Sequence, residues 1–355
     1  MRKKIAIVMP SYLNGGAEKA IFNIALLLAD KYYIDLYTIY KKNVISKNLK
    51  NIKFKYLNKE KVIFSIFLIR KLFKSNKYEL ILTGLFNVNI VAIIARLITK
   101  TKTKHIISIR NGLKNYTFSE KILIKFFYPF ASAIGCVSKG VLKEMENFLG
   151  LDSKKFYYTP NTLNIPKKIK SGSLSQIYLS KAERHKFIFI GRLEKQKNPL
   201  ELINAINYKY ILDNSELLII GSGKLENNLK TFLKNKKISK GVKFIKQTKN
   251  IQRYLEKSDT LVLTSLWEGL PNVLIEALQE GCLIISSDCE HGPSEILQDI
   301  TSSKLYRSGD IIDLRNKLIE NINTKHIRYC PLVLAEKYGE KKVKELYEKM
   351  ISDFI

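Results

Sequence analysis

Residues 5–40 read IAIVMPSYLNGGAEKAIFNIALLLADKYYIDLYTIY, and this stretch decides the fold. An apolar run of strand length, IAIVMP, is followed by a loop that ends in Gly15 and Gly16, a segment of helical period and a second apolar run, YYIDLYTIY. Continuous apolar runs separated by a helix are typical of parallel strands that are buried on both faces. The stretch therefore predicts two strands of one parallel sheet joined by a crossover helix.

The same alternation recurs in both halves of the chain. Further strand candidates are ELILTG, KHIISIR and AIGCVS in the first half, and KFIFIG, ELLIIGSG, VKFIKQ, TLVLTS and CLIISSD in the second. A polar, strand-poor stretch with Pro and Gly-Ser separates the halves and predicts a linker. We expect two doubly wound, Rossmann-like α/β domains that face across a cleft. The predicted divisions are a first domain at 1–165, a linker at 166–183, a second domain at 184–330 and a C-terminal helix at 331–355 that packs back on the first domain.

The chain is strongly basic, and its charge is uneven. It has 61 Lys and Arg side chains and 32 Asp and Glu, a net charge of +29. Residues 1–165 hold 29 basic and 9 acidic side chains, whereas residues 166–355 hold 32 and 23. The first half is therefore expected to face an anionic partner, which is nucleic acid, an acidic membrane surface or a phosphorylated substrate. A solvated Lys-rich surface is the simpler alternative.

Cysteine usage and hydropathy limit the class of protein further. The four cysteines form no Cys-x-x-Cys pair, and the four histidines are far apart in sequence, so we expect reduced thiols and no zinc site. The longest apolar runs, such as VIFSIFLI at residues 62–69, fall short of the roughly 20 residues that a spanning helix needs. The apolar run at the N-terminus is too short for a signal peptide. These features predict a cytoplasmic protein without a membrane span.

The stretch SLWEGLPNVLIEALQEG, residues 265–281, carries two carboxylates around a predicted helix start. Pro271 fits the first helical position and Gly281 the position just past the end, so a helix over residues 271–280 is predicted. A helix N-terminus attracts phosphate, whereas Glu268 and Glu276 would accept hydrogen bonds from hydroxyls. A nucleotide sugar has both kinds of group. The alternative is that Glu276 only stabilises its own helix through the helix dipole.

Two other loops also have the chemistry of phosphate binding. In GRLEKQKN, residues 191–198, Arg192 and Lys197 could clamp a diphosphate. Gly15 and Gly16 allow the backbone to approach an anion closely, but they do not form the Gly-x-Gly-x-x-Gly pattern, which argues against a dehydrogenase. The chain has no Asp-x-Asp pair to hold a metal between phosphates, so we expect neither a metal nor another cofactor.

Taken together, Gly15-Gly16-Ala-Glu, GRLEKQKN, GSGKLENNL, EGLPNVLIEALQEG and SSDCEHGPSEIL resemble, in order and spacing, the motifs of the family 4 retaining glycosyltransferases, which have the GT-B fold. The resemblance implies that Arg192 and Lys197 bind the donor diphosphate. It implies that Glu276 holds the nucleotide ribose and that Glu268 contacts hydroxyls of the transferred sugar. It also implies a phosphate site made by the backbone of Gly269, Leu270, Pro271, Asn272 and Val273 together with Gly15 and Gly16.

One position departs from the family pattern. Many members carry a His at the end of the fourth strand of the first domain, near the reacting sugar, where HIISIRNGL has Arg110. We interpret Arg110, with Glu268, as a catalytic contact to the donor sugar or the leaving phosphate. His105, inside the strand, is expected to be structural. The family's Asn-x-x-Asp after the first domain is only partly present, as NTLN, which keeps Asn161.

The resemblance implies an enzyme that moves a hexose or an N-acetylhexosamine from a UDP-sugar to a lipid-linked saccharide in the biosynthesis of surface polysaccharide or lipopolysaccharide. Two alternatives stay open. A nucleic-acid-binding protein is favoured by net charge alone but shows no recognised fingerprint, so we expect no nucleic-acid partner. A non-catalytic, membrane-associated protein of the same fold is the second alternative.

The segment KVIFSIFLIRKLFKSNK, residues 61–77, combines apolar side chains with five basic ones. As a helix it could lie in an anionic interface with its apolar side down, which predicts a peripheral protein on the inner face of the cell membrane. The equal alternative is a helix that packs on the core and has a solvated basic edge.

Overall fold

The structure is a computed structural model that describes residues 2–12, 15–40, 49–75, 77–162, 184–238, 241–246, 248, 250–301, 303–324 and 332–355. The predicted linker at 166–183 lies outside these residues. The chain divides into two compact units, one made of Met1–Asn164 with Lys337–Ile355 and the other of Ile165–Glu336. The chain therefore returns to the first unit at its C-terminal end.

The first unit is built on a seven-stranded parallel sheet of order β3-β2-β1-β4-β5-β6-β7. The strands are β1 (Lys4–Met9), β2 (Tyr33–Thr38), β3 (Ile52–Tyr56), β4 (Leu80–Gly84), β5 (Lys104–Ile109), β6 (Ala133–Cys136) and β7 (Phe156–Tyr158). The helices between them are α1 (Gly16–Leu28), α2 (Ile66–Lys74), α3 (Phe86–Thr99), α4 (Phe118–Phe127) and α5 (Lys139–Leu149).

Alternate residues of each central strand face opposite helix layers, as the period of two requires. Ile5, Ile7 and Met9 of β1 pack with α1, whereas Ala6 and Val8 pack in a second core with α2 and α3. The helix predicted at 331–355 is two helices, α13 (Leu332–Tyr338) and α14 (Glu340–Ser352), because Gly339 between them has an extended backbone. Helix α14 packs beside α1 in the first core.

The second unit has a six-stranded parallel sheet of order β10-β9-β8-β11-β12-β13. Its strands are β8 (His185–Ile190), β9 (Ser215–Ile220), β10 (Val242–Ile245), β11 (Thr260–Leu263), β12 (Leu283–Ser287) and β13 (Ser303–Tyr306). Its helices are α6 (Pro199–Ile206), α7 (Lys209–Asn214), α8 (Glu226–Asn235), α9 (Ile251–Leu255), α10 (Asn272–Gln279), α11 (Pro293–Leu297) and α12 (Ile311–Ile322).

The strand order fixes where each unit can bind a ligand. In the second unit the chain runs outward from β8 to β9 and β10, then returns to β11 on the other side of β8. In such sheets the ligand crevice opens at the carboxyl ends of the strands where the order reverses. The loops after β8 and β11 border that point in the second unit, and the loops after β1 and β4 border it in the first.

The cysteines that the structure describes lie in the protein interior. Cys136, Cys282 and Cys289 are buried free thiols, while Cys330 lies outside the described residues. Among the helices that the structure describes, none is long and apolar enough to cross a bilayer.

The imidazole of His105 is fully buried on β5, where Nε2 shares a hydrogen bond of 2.9 Å with Thr83 Oγ1. Burial, with a smaller effect of Arg96, lowers the pKa of His105 to about 3. The unfolded chain therefore binds this proton between about pH 6.5 and pH 3 and the folded chain does not, so the contribution of His105 to stability falls as the pH is lowered.

Because of His105, the parent protein should lose about 2 kcal/mol of its free energy of unfolding between about pH 7 and pH 5. We predict that the His105→Asn variant does not show this part of the loss. Urea unfolding followed by circular dichroism at the two pH values measures the difference. Equal pH sensitivity of the variant and the parent protein would show that His105 is not held neutral.

Candidate active site

The loop after β8 is held in place by a close approach of two glycine backbones. A Cβ on Gly221 would lie 1.9 Å from the carbonyl oxygen of Gly191, and one on Gly223 would lie 2.5 Å from that of Leu193. Side chains at these two positions would therefore push the carboxyl ends of β8 and β9 apart. The glycines of GSGKLENNL thus fix the start of the loop that carries Arg192 and Lys197.

Lys197 and Glu268 meet in the second unit, although they are far apart in sequence. Lys197 ends a 3₁₀ turn, Lys195–Lys197, after β8, and Glu268 follows β11. Lys197 Nζ donates to Glu268 Oε1, and Ser265 Oγ donates to the same oxygen at 2.6 Å. The two charged side chains are 14% and 8% exposed. The sequence analysis predicts that Lys197 binds the diphosphate and that Glu268 contacts the sugar. In the structure the two side chains form a shielded ion pair beside the switch point.

The backbone after Lys197 is fixed by two further contacts. Thr264 Oγ1, just after β11, lies 2.9 Å from the carbonyl oxygen of Lys197 and 3.0 Å from that of Asn198. Asn198 has a φ of 44°, in the left-handed region, and its side chain donates to Glu201 Oε2. Glu201 is buried, and its other oxygen accepts from the Gly309 amide at 3.1 Å. Burial raises the pKa of Glu201. Glu201 therefore positions the loop that carries Lys197.

Arg192 lies on the same loop but is much more accessible than Lys197. Its side chain is 62% exposed, and its guanidinium contacts Glu194 at 3.1 Å and donates to Gln196 Oε1 at 2.6 Å. Gln196 is buried, and its Nε2 donates to the carbonyl oxygen of Trp267 at 3.0 Å. Gln196 thus connects Arg192 to the loop that carries Glu268. The sequence analysis missed this role, and the only signal was a Gln between the two candidate cations.

The N-terminus of α10 lies on the chain directly after Glu268. Helix α10 begins at Asn272, so Pro271 caps the helix instead of starting it, one residue from the prediction. Gly281, with a φ of 73°, follows the end as predicted. A Cβ on Gly292 would lie 2.4 Å from Pro271 Cδ and 3.0 Å from the carbonyl oxygen of Gly269. The close packing of these loops fixes the backbone of residues 269–273.

Glu276 is half-buried one turn inside α10, while Leu274, Ile275, Ala277 and Leu278 are buried. Burial, and after it the charge of Glu268, raises the pKa of the buried Cys289 thiol to about 12. The second unit therefore brings Arg192, Lys197 and Glu268 to the loops after β8 and β11, and the N-terminus of α10 follows Glu268 along the chain, with Glu276 one turn further on. Their roles in donor binding stay predictions.

The predicted residues of the first unit lie at the carboxyl ends of β1 and β5. Gly15 precedes α1, where a Cβ would lie 2.6 Å from Glu18 Oε2, and Gly16 begins the helix. Arg110 follows β5 and is buried, with its guanidinium donating to Asn161 Oδ1 at 2.7 Å and to Tyr347 Oη at 2.8 Å. Because Tyr347 lies on α14, Arg110 ties the C-terminal helix to the sheet. A catalytic contact of Arg110 stays a prediction.

The chain is similar to known glycosyltransferases in sequence and in structure. A family model described as glycosyl transferases group 1 matches residues 172–331. An uncharacterized glycosyltransferase of Methanocaldococcus jannaschii is 31% identical over 296 residues, which cover 76% of this chain and 71% of the relative.

Two further proteins are similar over almost their full length. The Campylobacter jejuni enzyme named GalNAc-alpha-(1->4)-GalNAc-alpha-(1->3)-diNAcBac-PP-undecaprenol alpha-1,4-N-acetyl-D-galactosaminyltransferase is 26% identical over 340 residues, which cover 92% of this chain and 90% of that enzyme. The crystal structure of HepE from Anabaena in complex with UDP has a TM-score of 0.80 at 17% identity and covers 99% of this chain and 100% of that chain. Because the two sequences are only 17% identical, the similarity to the HepE structure shows a shared fold and nothing more.

Proposed function

The chain belongs to the glycosyl transferases of group 1 and has the GT-B fold, and from this premise we propose that it transfers a sugar from a UDP-sugar to a lipid-linked saccharide. The transferred sugar is a hexose or an N-acetylhexosamine, the anomeric configuration is retained, and the product enters a surface polysaccharide or lipopolysaccharide. The Campylobacter relative is named for a saccharide on PP-undecaprenol, and the HepE structure contains UDP, which supports both halves of the proposal.

The observation that carries the proposal is the meeting of Arg192, Lys197, Glu268 and the N-terminus of α10 around the switch point of the second sheet. Two cations and a helix N-terminus stabilise the negative charge that develops on UDP as it leaves. Arg192 offers a planar fork to two phosphate oxygens, and Lys197 offers a point charge.

The pairing of Lys197 with Glu268 suggests how the donor is oriented. Glu268 holds Lys197 in place before the donor arrives, so that little side-chain freedom is lost when the diphosphate binds. The carboxylate then accepts hydrogen bonds from hydroxyls of the transferred sugar, next to the phosphate that Lys197 contacts. Glu276 receives the ribose hydroxyls one helical turn away. The acceptor hydroxyl attacks the face of the sugar from which UDP departs, and no protein nucleophile takes part.

The test is a UDP-release assay with purified protein, a panel of UDP-hexoses and UDP-N-acetylhexosamines, and saccharides linked to undecaprenyl diphosphate. Release of UDP that requires both a donor and an acceptor, with an α-linked product from an α-linked donor, is the expected result. Release of ADP or GDP from ADP- or GDP-sugars, without release of UDP from UDP-sugars, would overturn the donor assignment. Transfer to free but not to lipid-linked saccharide would overturn the acceptor assignment.

We also predict that excess EDTA leaves turnover within about twofold, because Arg192, Lys197 and the helix N-terminus supply the positive charge that a divalent cation supplies to diphosphates elsewhere. Activity before and after chelation, with and without added Mg²⁺, measures this. A loss of more than about tenfold that Mg²⁺ restores would show that the two cations are insufficient.

A further inference from the structure

Arg110 is a buried cation at the carboxyl edge of the first sheet. It directly follows β5, and only 6% of its surface is exposed. Burying a charge in a protein interior is costly unless a group of opposite charge compensates it. The groups that contact Arg110 therefore decide whether its charge is neutralised inside the protein or remains for a ligand.

Two neutral oxygen atoms hold the guanidinium in place. Arg110 Nη1 donates to Asn161 Oδ1 at 2.7 Å, and Nη2 donates to Tyr347 Oη at 2.8 Å. The Tyr347 hydroxyl in turn donates to the carbonyl oxygen of Thr159 at 3.3 Å, so it accepts from Arg110. Asn161 and Tyr347 are both buried. The two contacts fix the position of the guanidinium and add no negative charge.

The other two cations of the candidate site are held differently. Lys197 is paired with Glu268. Arg192 Nη1 lies 3.1 Å from a carboxylate oxygen of Glu194. Within the part of the chain that the structure describes, Arg110 forms hydrogen bonds to neutral groups and no ion pair with an Asp or Glu. Arg110 therefore keeps its full positive charge in surroundings of low dielectric constant, where a charge acts most strongly.

The guanidinium of Arg110 also has hydrogen-bond donors to spare. A guanidinium carries five N–H donors, and the bonds to Asn161 and Tyr347 use two of them. Each terminal nitrogen thus keeps one N–H, which is enough to bond two oxygens of a phosphate. The Nε atom is buried and has no hydrogen-bond partner among the described residues. The protein positions this cation but leaves most of its donors for another group.

Arg110 lies on the side of the first sheet where a ligand is expected. Ligands of doubly wound sheets bind outside the carboxyl ends of the strands, near the point where the strand order reverses. Strand β5 is the neighbour of β4, which borders that point in the first unit. A cation at this edge attracts an anion. In the proposed reaction the UDP-sugar carries a diphosphate, and so does an acceptor linked to undecaprenyl diphosphate.

We propose that Asn161 and Tyr347 are positioning residues that hold Arg110 as an uncompensated cation, and that Arg110 binds a phosphate group of a substrate. A carboxylate in place of Asn161 would also position Arg110, but it would cancel the charge that attracts the phosphate. An amide and a phenol fix the position and keep the charge. This inference rests on the proposed function, in which the phosphate belongs to the donor or to the lipid-linked acceptor. The simpler alternative is that Arg110 only ties α14 to the sheet.

The test is isothermal titration of the full chain with inorganic diphosphate and with UDP. Asn161→Asp should lower the affinity for inorganic diphosphate by about tenfold, because the new carboxylate neutralises Arg110. Arg110→Gln removes the same charge and should lower this affinity equally. Tyr347→Phe keeps the charge but removes one of its two anchors, so a loss of about threefold is expected.

The two titrations distinguish the source of the phosphate. An equal loss of UDP affinity in Asn161→Asp assigns the phosphate to the donor. Unchanged UDP affinity, with a KM for the diphosphate-linked acceptor that rises about tenfold, assigns it to the acceptor. Inorganic diphosphate has no uridine, sugar or lipid, so its titration reports on Arg110 even if the proposed substrates are wrong.

Matched variants separate the effect of the charge from a structural effect. Asn115→Asp adds the same charge at an exposed residue of the loop after β5. Tyr157→Phe removes another phenol contact to the C-terminal segment, the 2.8 Å bond to Asp353. Both variants should bind inorganic diphosphate within about twofold of the parent protein.

Thermal unfolding and diphosphate affinity together decide between phosphate binding and a purely structural role. If Arg110 only ties α14 to the sheet, Arg110→Gln will lower the melting temperature, while folded Asn161→Asp will bind inorganic diphosphate like the parent protein. That result would overturn the proposal, as would equal losses of affinity in Asn115→Asp and Asn161→Asp. If Asn161→Asp does not fold, parent-like diphosphate affinity in folded Arg110→Gln overturns it instead.

Discussion

Lys197→Met is expected to lower kcat/KM for the donor by about 10- to 100-fold, because a charge-assisted hydrogen bond to phosphate is worth about 1.5 to 3 kcal/mol. The same change should also destabilise the second unit. It leaves Glu268 as a shielded carboxylate with Ser265 still bonded to it but without its cation. Steady-state kinetics and thermal unfolding measure the two effects separately.

The pairing of Lys197 with Glu268 makes a double variant informative. In Lys197→Met with Glu268→Gln no unpaired charge remains, so stability should recover while UDP affinity stays low. Lys195→Met, which removes an exposed cation from the same 3₁₀ turn, is the matched control and should leave UDP affinity within about twofold. Arg192→Ala should weaken the binding of UDP without destabilising the second unit, because the Arg192 side chain is exposed. Parent-like UDP affinity in folded Lys197→Met would mean that Lys197 serves only Glu268.

Much of the fold could be predicted because hydrophobic periodicity reports burial. Every apolar run chosen as a strand is a strand, since parallel strands between two helix layers are apolar on both faces. The three strands that the sequence analysis missed are all edge strands: β3, β7 and β13. In β3, Lys53 and Lys55 alternate with apolar residues because an edge strand is only partly covered, so no apolar run marks it.

The site was predictable as a set of loops but not as a set of contacts. Spacing placed Arg192, Lys197 and Glu268 on loops after strands, which the sheet order brings together. No local pattern indicates that Lys197 and Glu268 share a hydrogen bond, since 71 residues separate them. The same holds for the bond between Arg110 and Tyr347, which are 237 residues apart. Contacts of this kind depend on tertiary packing, so sequence alone gave Arg110 a ligand role and missed its bond to α14.

Glu276→Gln and Glu268→Gln should separate binding of the nucleotide from recognition of the sugar. Glu276→Gln is expected to lower the affinity for free UDP by about 10-fold, because a neutral amide accepts hydrogen bonds from ribose hydroxyls less strongly than a carboxylate does. Isothermal titration with UDP alone measures this without any sugar. If Glu276 only stabilises its helix through the dipole, the variant will bind UDP like the parent and show a lower melting temperature.

Glu268→Gln should have the opposite profile. The amide oxygen can still accept from Ser265 and Lys197, so the loop keeps its place, while the charge that competed with phosphate for Lys197 is gone. UDP affinity is therefore expected to hold or rise, and kcat with the complete donor to fall by about 100-fold as the sugar hydroxyls lose a charged acceptor. Glu290→Gln, in the loop whose backbone accepts from the Glu268 amide at 3.2 Å, is the matched change of a nearby carboxylate and should alter neither quantity by more than about threefold. A fall in UDP affinity for Glu268→Gln as large as that for Glu276→Gln would show that Glu268 acts by positioning Lys197 and not by contacting the sugar.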